Sequence, residues 1–349
     1  MNKKAPFSNQ PPRLAKQIIN GYVRLTDYIF TDPKRSLPHF SEMNFSFNDS
    51  SHVHMFNTAM KSILFIYLLL TSLVLAQEPD SASALFSLRE AERDFARASA
   101  MHGRNAAFVE NFADESIIFT NTWITNGKQF WKEKKVVPVV LKWEPEFMDI
   151  SESRDFGIST GPWEAQEYRP YTTAVATGYF VSVWKKQSDG TWKVILDAGS
   201  TTPARANYDH RFSFLAGADK AISSPKKLNN ETVRAELMER EQQILSSWKS
   251  NPLPTPYASV LAPNARLQRE GRLPTTNADS ITVWISQLHL TLTWRTSGGN
   301  AASSGDLGFT YGLFETQEHT SGTKGHYVRI WKKQPDGAWK IALEMMSAD

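Results

Sequence analysis

The chain of 349 residues contains no cysteine. Disulfide bonds, thiol catalysis and cysteine-based metal sites are therefore excluded. No HExxH spacing is present, and a glycine-rich phosphate loop and a GxSxG nucleophile elbow are also missing. The sequence consequently predicts no metal site and no cofactor. The net charge of +3 is close to balance, so no nucleic-acid partner is predicted.

Long apolar runs are also scarce. The one clear run, Ile63–Leu75, has 13 residues, which is too short to span a bilayer comfortably. Lys61 precedes this run, and Val74 and Ala76 supply small residues just before Gln77. This order is typical of a secretory signal peptide.

The signal peptide is assigned to residues 55–76, which places the start of translation at Met60 or Met55. Residues 1–54 then derive from an over-long gene model and are not a domain. The alternative is a cytoplasmic tail followed by an uncleaved anchor. We expect an exported protein, periplasmic or secreted, with no membrane association after cleavage.

One stretch of the chain occurs twice. Gly178–Asp197 and Gly325–Glu344 are identical at 11 of 20 positions, and they start 147 residues apart. Each copy has two aromatic and β-branched runs around an Asp-Gly turn, which predicts a β-hairpin. A repeat of this quality indicates two tandem copies of one domain.

The rest of the chain fits this organisation. Periodicity predicts the order α-α-β-α-β-β-β-β in each copy. The predicted elements include an amphipathic helix at Ser83–His102, a helix that opens at Asn126-Gly127, a strand at Leu141–Ile150 and a helix at Asp279–Leu288 with Asp279 as its N-cap. The first domain is assigned to residues 77–204, a linker to 205–230 and the second domain to 231–349.

The pattern resembles the nuclear-transport-factor-2-like superfamily, and within it the SnoaL-like branch common in exported bacterial proteins of unknown function. The residues that carry the resemblance are Ala91-Glu92-Arg93-Asp94-Phe95, Ala113-Asp114, Gly161-Pro162-Trp163, and the hairpin with Trp184, Asp189-Gly190 and Trp192.

The resemblance implies an α+β fold with two tandem cones, each a curved antiparallel sheet wrapped by about three helices. The open end of such a cone is a pocket. It further implies an internal pseudo-dimer packed through the sheet faces and leaves a further homodimer open. Members include isomerases, cyclases, dehydratases and pure binding or assembly domains, so fold alone does not define function. The isomerases' catalytic tyrosine and two aspartates have no confident match here.

Two pairs of carboxylates are candidate catalytic residues. Asp197 and Glu344 occupy the same position at the end of the repeated hairpin, and Glu164 and Glu315 match in an earlier strand. A carboxyl group held against aromatic walls has a raised pKa and can serve as a general acid or base. The alternative is a rim carboxylate paired with lysine.

Alternation of side chains assigns faces in these strands. It places Asp197 with Lys193 and Ile195, opposite Trp192 and Val194. In the earlier strand it groups Glu164 with Thr160 and Gln166. The matching residues of the second copy are Glu315, Tyr311 and Gln317. This second group is the preferred pocket cluster, with a solvated sheet edge as the alternative.

Matched tryptophans complete the set of candidates. Trp131 and Trp143 correspond to Trp284 and Trp294. Aromatic walls suit a flat apolar ligand, although core packing explains matched tryptophans equally well. The first hypothesis is a protein that binds a small, partly apolar molecule. The alternatives are a SnoaL-like isomerase, cyclase or lyase, and a structural or assembly module.

The signal-peptide hypothesis predicts that the mature protein begins at Gln77. Edman sequencing or mass spectrometry of the N-terminal peptide from the native host measures this directly. A mature chain that starts anywhere upstream of Gln77 contradicts the assignment.

Overall fold

The computed structural model describes residues 81–120, 123–167, 174–203, 213–214, 228–250, 255–287, 292–316 and 323–348. All of them belong to one compact unit, Glu78–Asp349. The predicted signal peptide and residues 1–54 lie outside the described residues. Within the described ranges, no helix is both long enough and apolar enough to cross a membrane.

The first domain begins with two helices, and most of its sheet follows a third. Its elements are α1 (Ser81–His102), α2 (Arg104–Asn111), β1 (Phe112–Thr120), β2 (Trp123–Asn126), α3 (Gly127–Glu133), β3 (Val139–Trp143), β4 (Phe147–Ile150), β5 (Phe156–Glu167), β6 (Ala176–Lys186), β7 (Trp192–Thr201) and β8 (Ser213–Phe214).

The second domain has the same order of helices and long strands. Its elements are α4 (Asn230–Ser250), α5 (Thr255–Ala258), β9 (Leu261–Arg269), β10 (Thr275–Thr276), α6 (Ala278–Ser286), β11 (Leu292–Ala301), β12 (Leu307–Thr316), β13 (Lys324–Lys333) and β14 (Trp339–Ala348).

The two sheets are built alike. The first has the order β2-β1-β7-β6-β5-β4-β8, with β3 also paired to β5, and the second has the order β10-β9-β14-β13-β12-β11. The predicted fold class, α+β with two cone domains, is confirmed. The sheets are mixed rather than purely antiparallel, because β1 runs parallel to β7 and β9 runs parallel to β14.

The helix α1 follows the predicted amphipathic pattern. Leu85, Leu88 and Phe95 are buried at three- and four-residue spacings. Gly103 follows the helix with a φ of 88°, a conformation that glycine adopts without strain.

The helices α3 and α6 both begin at an asparagine cap. The predicted start of α3 at Asn126-Gly127 is confirmed, since Asn126 Oδ1 accepts a hydrogen bond from the Gln129 amide at 2.8 Å. The prediction that Asp279 caps α6 is wrong. Asn277 Oδ1 accepts the Ser280 amide at 2.8 Å instead, and Asp279 lies in the first turn.

The predicted single strand 141–150 is wrong, because the chain is interrupted between β3 and β4. Glu146 N donates to Thr160 O at 2.9 Å, which brings the connecting segment across β5. The segment passes so close that a Cβ at Gly161 would lie 2.0 Å from Glu144 O. In the second domain the equivalent strand β11 stays continuous and has a register shift between Thr296 and Gly298.

The last strand of each domain carries a β-bulge. Val183 pairs with Leu196 and Trp184 with Val194, so Ile195 is the extra residue in β7. In β14 the extra residue is Ala342. A bulge reverses the alternation of side chains beyond it, because one additional residue is inserted into a period of two.

The outer faces of the two sheets pack against each other. One hydrophobic cluster combines Ile158, Val181 and Val183 of the first sheet with Phe309 and Ile330 of the second. Phe156 and Phe309 stack across this layer with ring centroids 6.1 Å apart. The inner face of each sheet is therefore left to its own helices.

Candidate functional site

The interior of the first cone is built on a buried glutamate of α1. Glu92 lies four residues after Leu88 and three before Phe95, so the helical period places it on the buried face. Its side chain is fully buried. A carboxylate in this position must find hydrogen-bond donors to offset its lost hydration.

Glu92 finds three neutral donors on the surrounding strands. Oε1 accepts Trp143 Nε1 at 2.6 Å, and Oε2 accepts Trp184 Nε1 at 2.8 Å. Oε2 also accepts the hydroxyl of Ser159, which in turn accepts Trp184 Nε1 at 3.1 Å. Burial raises the pKa of Glu92, and these hydrogen bonds only partly offset that rise.

The bulge at Ile195 turns Asp197 into the cone. Trp192 and Val194 pack with the helices, whereas Leu196 joins the layer between the sheets. Asp197 lies opposite Ser182 of the neighbouring strand β6, and both side chains face the helices. Ser182 Oγ donates to Asp197 Oδ1 at 2.8 Å. The predicted grouping of Asp197 with Lys193 and Ile195 is therefore wrong, because plain alternation does not include the bulge.

Asp197 combines a pKa near neutrality with access to solvent. Burial raises its pKa to about 7, the hydrogen bond from Ser182 opposes that rise, and the nearby Glu92 adds to it. Asp197 nonetheless keeps some solvent-accessible surface, unlike Glu92. Among the described residues no cation pairs with it. A group with this pKa and this access can both accept and donate a proton at neutral pH.

Aromatic rings form the walls around the two acids. The ring of Trp143 lies 4.8 Å from that of Phe95, 5.9 Å from Phe108 and 6.5 Å from Phe180. Trp163 lies against Gly178 and Gly199, where a Cβ at Gly199 would come within 3.3 Å of its Nε1. The cone thus offers an apolar wall with a polar base.

The second cone repeats the buried carboxylate and its partners. Glu241 of α4 accepts Thr310 Oγ1 at 2.9 Å, and Trp331 Nε1 donates to Thr310 Oγ1 at 2.8 Å. Glu241, Thr310 and Trp331 therefore match Glu92, Ser159 and Trp184. The bulge at Ala342 likewise turns Glu344 inward, opposite Arg329.

Arg329 fills the second cone. Its Nε donates to Glu344 Oε2 at 2.6 Å and its Nη1 binds Glu241, with all three side chains fully buried. Arg269 and Tyr257 also bind Glu344. Burial alone would raise the pKa of Glu344, but the two arginines hold it below its usual value.

Three positions on the helix-facing side of the cones differ in size. Ser99, Ser182 and Gly199 of the first cone stand where the second has Trp248, Arg329 and Met346, according to the helix spacing and the strand registers. Met346 packs with Phe314 and Tyr327, and Trp248 stacks on Tyr257 at 4.8 Å. The interior of the second cone is thus closed by its own side chains.

The predicted cluster around Glu164 does not line a cone. Thr160 is buried between the sheets, where it accepts Gln268 Nε2 at 2.6 Å. Glu164 and Gln166 lie on the same outer face, with Gln166 bonded to both Glu164 and Lys142. Ser159, one position before Thr160, faces the cone instead and donates to Glu92.

The matching residues of the second copy are also outside the cone. Tyr311 packs against the layer between the sheets. Glu315 is about half exposed and pairs with Lys324 at 3.5 Å. Gln317 lies outside the described residues. Tyr311 and Glu315 do not come together around a pocket.

The four predicted tryptophans have different surroundings. Trp143 and Trp294 lie in the cones, whereas Trp131 packs on Phe108 at 4.6 Å and under the Arg104 guanidinium. Trp284 lies beside Arg272, 4.5 Å from its guanidinium carbon. Of these four tryptophans, only Trp143 donates to an acid of the first cone, Glu92.

Sequence reasoning missed Glu92, Ser159 and Ser182. A signal for Glu92 was present, because a glutamate stands on the apolar stripe of α1 and another on the same stripe of α4. In the described part of the chain, no group of three His, Asp or Glu side chains could hold a metal ion.

Comparisons with known proteins give matches to solved structures. No family model and no curated protein matches the sequence. A ketosteroid isomerase-like protein from Erwinia carotovora atroseptica is 14% identical, with 33% of this chain and 94% of that chain covered at a TM-score of 0.29.

Two further similar structures carry related names. An NTF2-like protein of unknown function from Pseudomonas putida is 13% identical, with 34% of this chain and 88% of that chain covered at a TM-score of 0.30. An NTF2-like superfamily protein from Salmonella enterica is 15% identical, with 36% and 95% covered at a TM-score of 0.29. The likeness concerns the fold alone.

The raised pKa of Asp197 predicts a pH-dependent stability. The folded chain keeps a proton on Asp197 between about pH 4 and pH 7, where the unfolded chain loses it. The free energy of unfolding therefore falls as pH rises through this window. Asp197→Asn removes this loss, so the variant should be more stable than the wild type by on the order of 2 kcal/mol at about pH 8 and similar to it at about pH 4.

Urea unfolding of both proteins across this pH range measures the difference. Glu110→Gln, which removes an exposed carboxylate on α2, is the control and should show no such trend. A difference between Asp197→Asn and the wild type that stays constant with pH contradicts the assignment.

Proposed function

We propose that the first cone binds a small, partly apolar molecule and that the second cone supports the fold. The observation that carries this proposal is the contrast between two equivalent carboxylates. Asp197 is partly exposed and has no cationic partner among the described residues, whereas Glu344 is fully buried and bound by two arginines.

The side chains around Asp197 support the same proposal. The first cone has Ser182 and Gly199 where the second is filled by Arg329 and Met346. Rings of Trp143, Phe180 and Trp163 supply apolar contact area, and the two acids supply orientation. Ligand sites generally combine a mostly apolar wall with a few convergent polar groups.

The cellular setting is also a proposal. The signal-peptide pattern before Gln77 supports an exported protein, so the ligand is expected outside the cytoplasm. The outer sheet faces pack against each other, which supports an internal pseudo-dimer.

The proposal predicts a ligand that is lost when the first cone is filled. Gly199→Met introduces the residue of the second cone and displaces Trp163. Native mass spectrometry of the mature wild-type protein, purified from its host, should show a small-molecule adduct. The fraction of protein that carries the adduct should be about tenfold lower in the variant.

Val283→Met adds the same side chain at an exposed position of α6 and should leave the adduct unchanged. An adduct that persists in Gly199→Met places the ligand elsewhere. A wild-type protein without any adduct favours the structural or assembly module over the binding protein.

A second candidate function is proton transfer by Asp197. The specific observation is its pKa of about 7, which suits a general base at neutral pH. Some isomerases, cyclases and lyases begin with a step in which a base removes a proton next to a carbonyl group. Glu92 and Ser182 would then position and tune Asp197 rather than react.

This candidate predicts exchange of acidic carbon-bound protons. In deuterated buffer at about pH 7, the mature protein should accelerate deuterium incorporation next to the carbonyl of 2-tetralone, as followed by proton NMR. Asp197→Asn should lose most of the acceleration, roughly 100-fold or more. Equal rates with the wild type and the variant contradict a base at this position.

A further inference from the structure

The second cone shows what its two buried acids bind. The guanidinium of Arg329 lies between Glu241 and Glu344, with its central carbon 4.3 Å from the ring centre of Tyr327, 4.4 Å from Trp294 and 4.8 Å from Trp248. This is a desolvated cation held by two carboxylates and three aromatic faces. The chain supplies its own ligand here.

The first cone repeats the two acids and two of the three aromatic faces, and among its described residues no arginine or lysine lies between the acids. Ser182 pairs with Asp197 just as Arg329 pairs with Glu344, at the same distance from the bulge. Glu92 matches Glu241 through its serine and tryptophan partners. Of the three aromatic faces, Trp143 replaces Trp294, Phe180 replaces Tyr327, and Ser99 stands in place of Trp248.

We propose that the first cone binds a small organic cation of the guanidinium or amidinium type, with its charge on Asp197 and Glu92 and its apolar stem along Trp143 and Phe180. This inference rests on the proposed binding function and specifies the chemical class of the ligand. The contact with Asp197 takes the place that the side chain of Arg329 has in the second cone.

Both carboxyl groups have acceptor positions that the described residues leave unused. Asp197 Oδ1 accepts Ser182, while Oδ2 accepts no hydrogen bond from the described residues. Glu92 Oε1 accepts only Trp143 among the described residues, whereas the matching oxygen of Glu241 accepts both Tyr327 and Arg329. Each carboxylate oxygen has two lone pairs, so Asp197 Oδ2 and Glu92 Oε1 can each accept a further hydrogen bond.

Charge balance selects a cation over a neutral ligand. Glu144 adds a further negative charge near Glu92, and Arg93 pairs with Glu144 at 2.7 Å rather than with Glu92 or Asp197. Because no cation among the described residues lies between them, the two acids are costly to ionise together, and the pKa of each is raised. A bound cation removes this cost, and a neutral molecule of the same shape does not.

The test compares two molecules of equal shape and different charge. 1-Propylguanidinium is the Arg329 side chain without its backbone, and N-propylurea is its neutral counterpart. Isothermal titration calorimetry of the mature protein at about pH 8 should give at least tenfold tighter binding of the guanidinium.

Three variants locate the binding. Asp197→Asn should weaken guanidinium binding at least tenfold, and Ser182→Arg, which copies the second cone, should abolish it. Glu110→Gln, which removes an equal charge from the exposed side of α2, should change nothing. If Ser182→Arg fails to fold, Asp197→Asn still decides.

The outcomes separate this inference from the proposed function. Equal affinity for the urea and the guanidinium overturns the cation and leaves a ligand-binding cone. Guanidinium binding that survives in Asp197→Asn, or no binding of either molecule, also overturns it. The proposed binding function has its own test, which is the loss of the adduct in Gly199→Met by native mass spectrometry.

Discussion

The structure of both cones depends on one buried carboxylate that projects from the first helix of each domain. Glu92 and Glu241 are fully buried, and each must be met by donors from the sheet. A hydroxyl on one strand and an indole on the next provide them: Ser159 with Trp184, and Thr310 with Trp331. These hydrogen bonds fix the helix against the sheet in position and rotation. Apolar packing alone would allow the helix to slide.

A second constraint is the bulge, which decides where the other acid points. Without Ile195 and Ala342 as extra residues, Asp197 and Glu344 would face the layer between the sheets, where Val183 and Ile330 pack. With the bulge, each acid faces the helix carboxylate of its own cone. The same backbone feature therefore places two acids together twice, and the side chain at the opposite strand position determines the consequence. Serine leaves the pair uncompensated, and arginine neutralises it.

Much of this architecture could be predicted from the sequence, and the part that could not has a physical cause. The helix α1 and the repeated hairpins followed from side-chain periods and Asp-Gly turns, which depend on local geometry. The faces of β7 did not, because one inserted residue changes the period without any mark in the sequence. Glu92 was missed since a glutamate is normally solvated, and only the buried donors explain its place. The exchange of Ser182 for Arg329 was visible in the aligned hairpins, but its meaning required knowing that both face an acid.

The difference between the cones is also a difference in stability. Arg329 is stabilised by two carboxylates and three rings, and removing one partner of such a buried set is costly, about 3–5 kcal/mol in comparable cases. The first cone forgoes this stabilisation, and its uncompensated acid Asp197 is held with a raised pKa. Proteins retain uncompensated groups of this kind mainly where they bind or react, because elsewhere a neutral substitution would stabilise the fold. The copy with the weaker interior is therefore the one in which we place the function, and the copy with the stronger interior maintains the shared layer between the sheets.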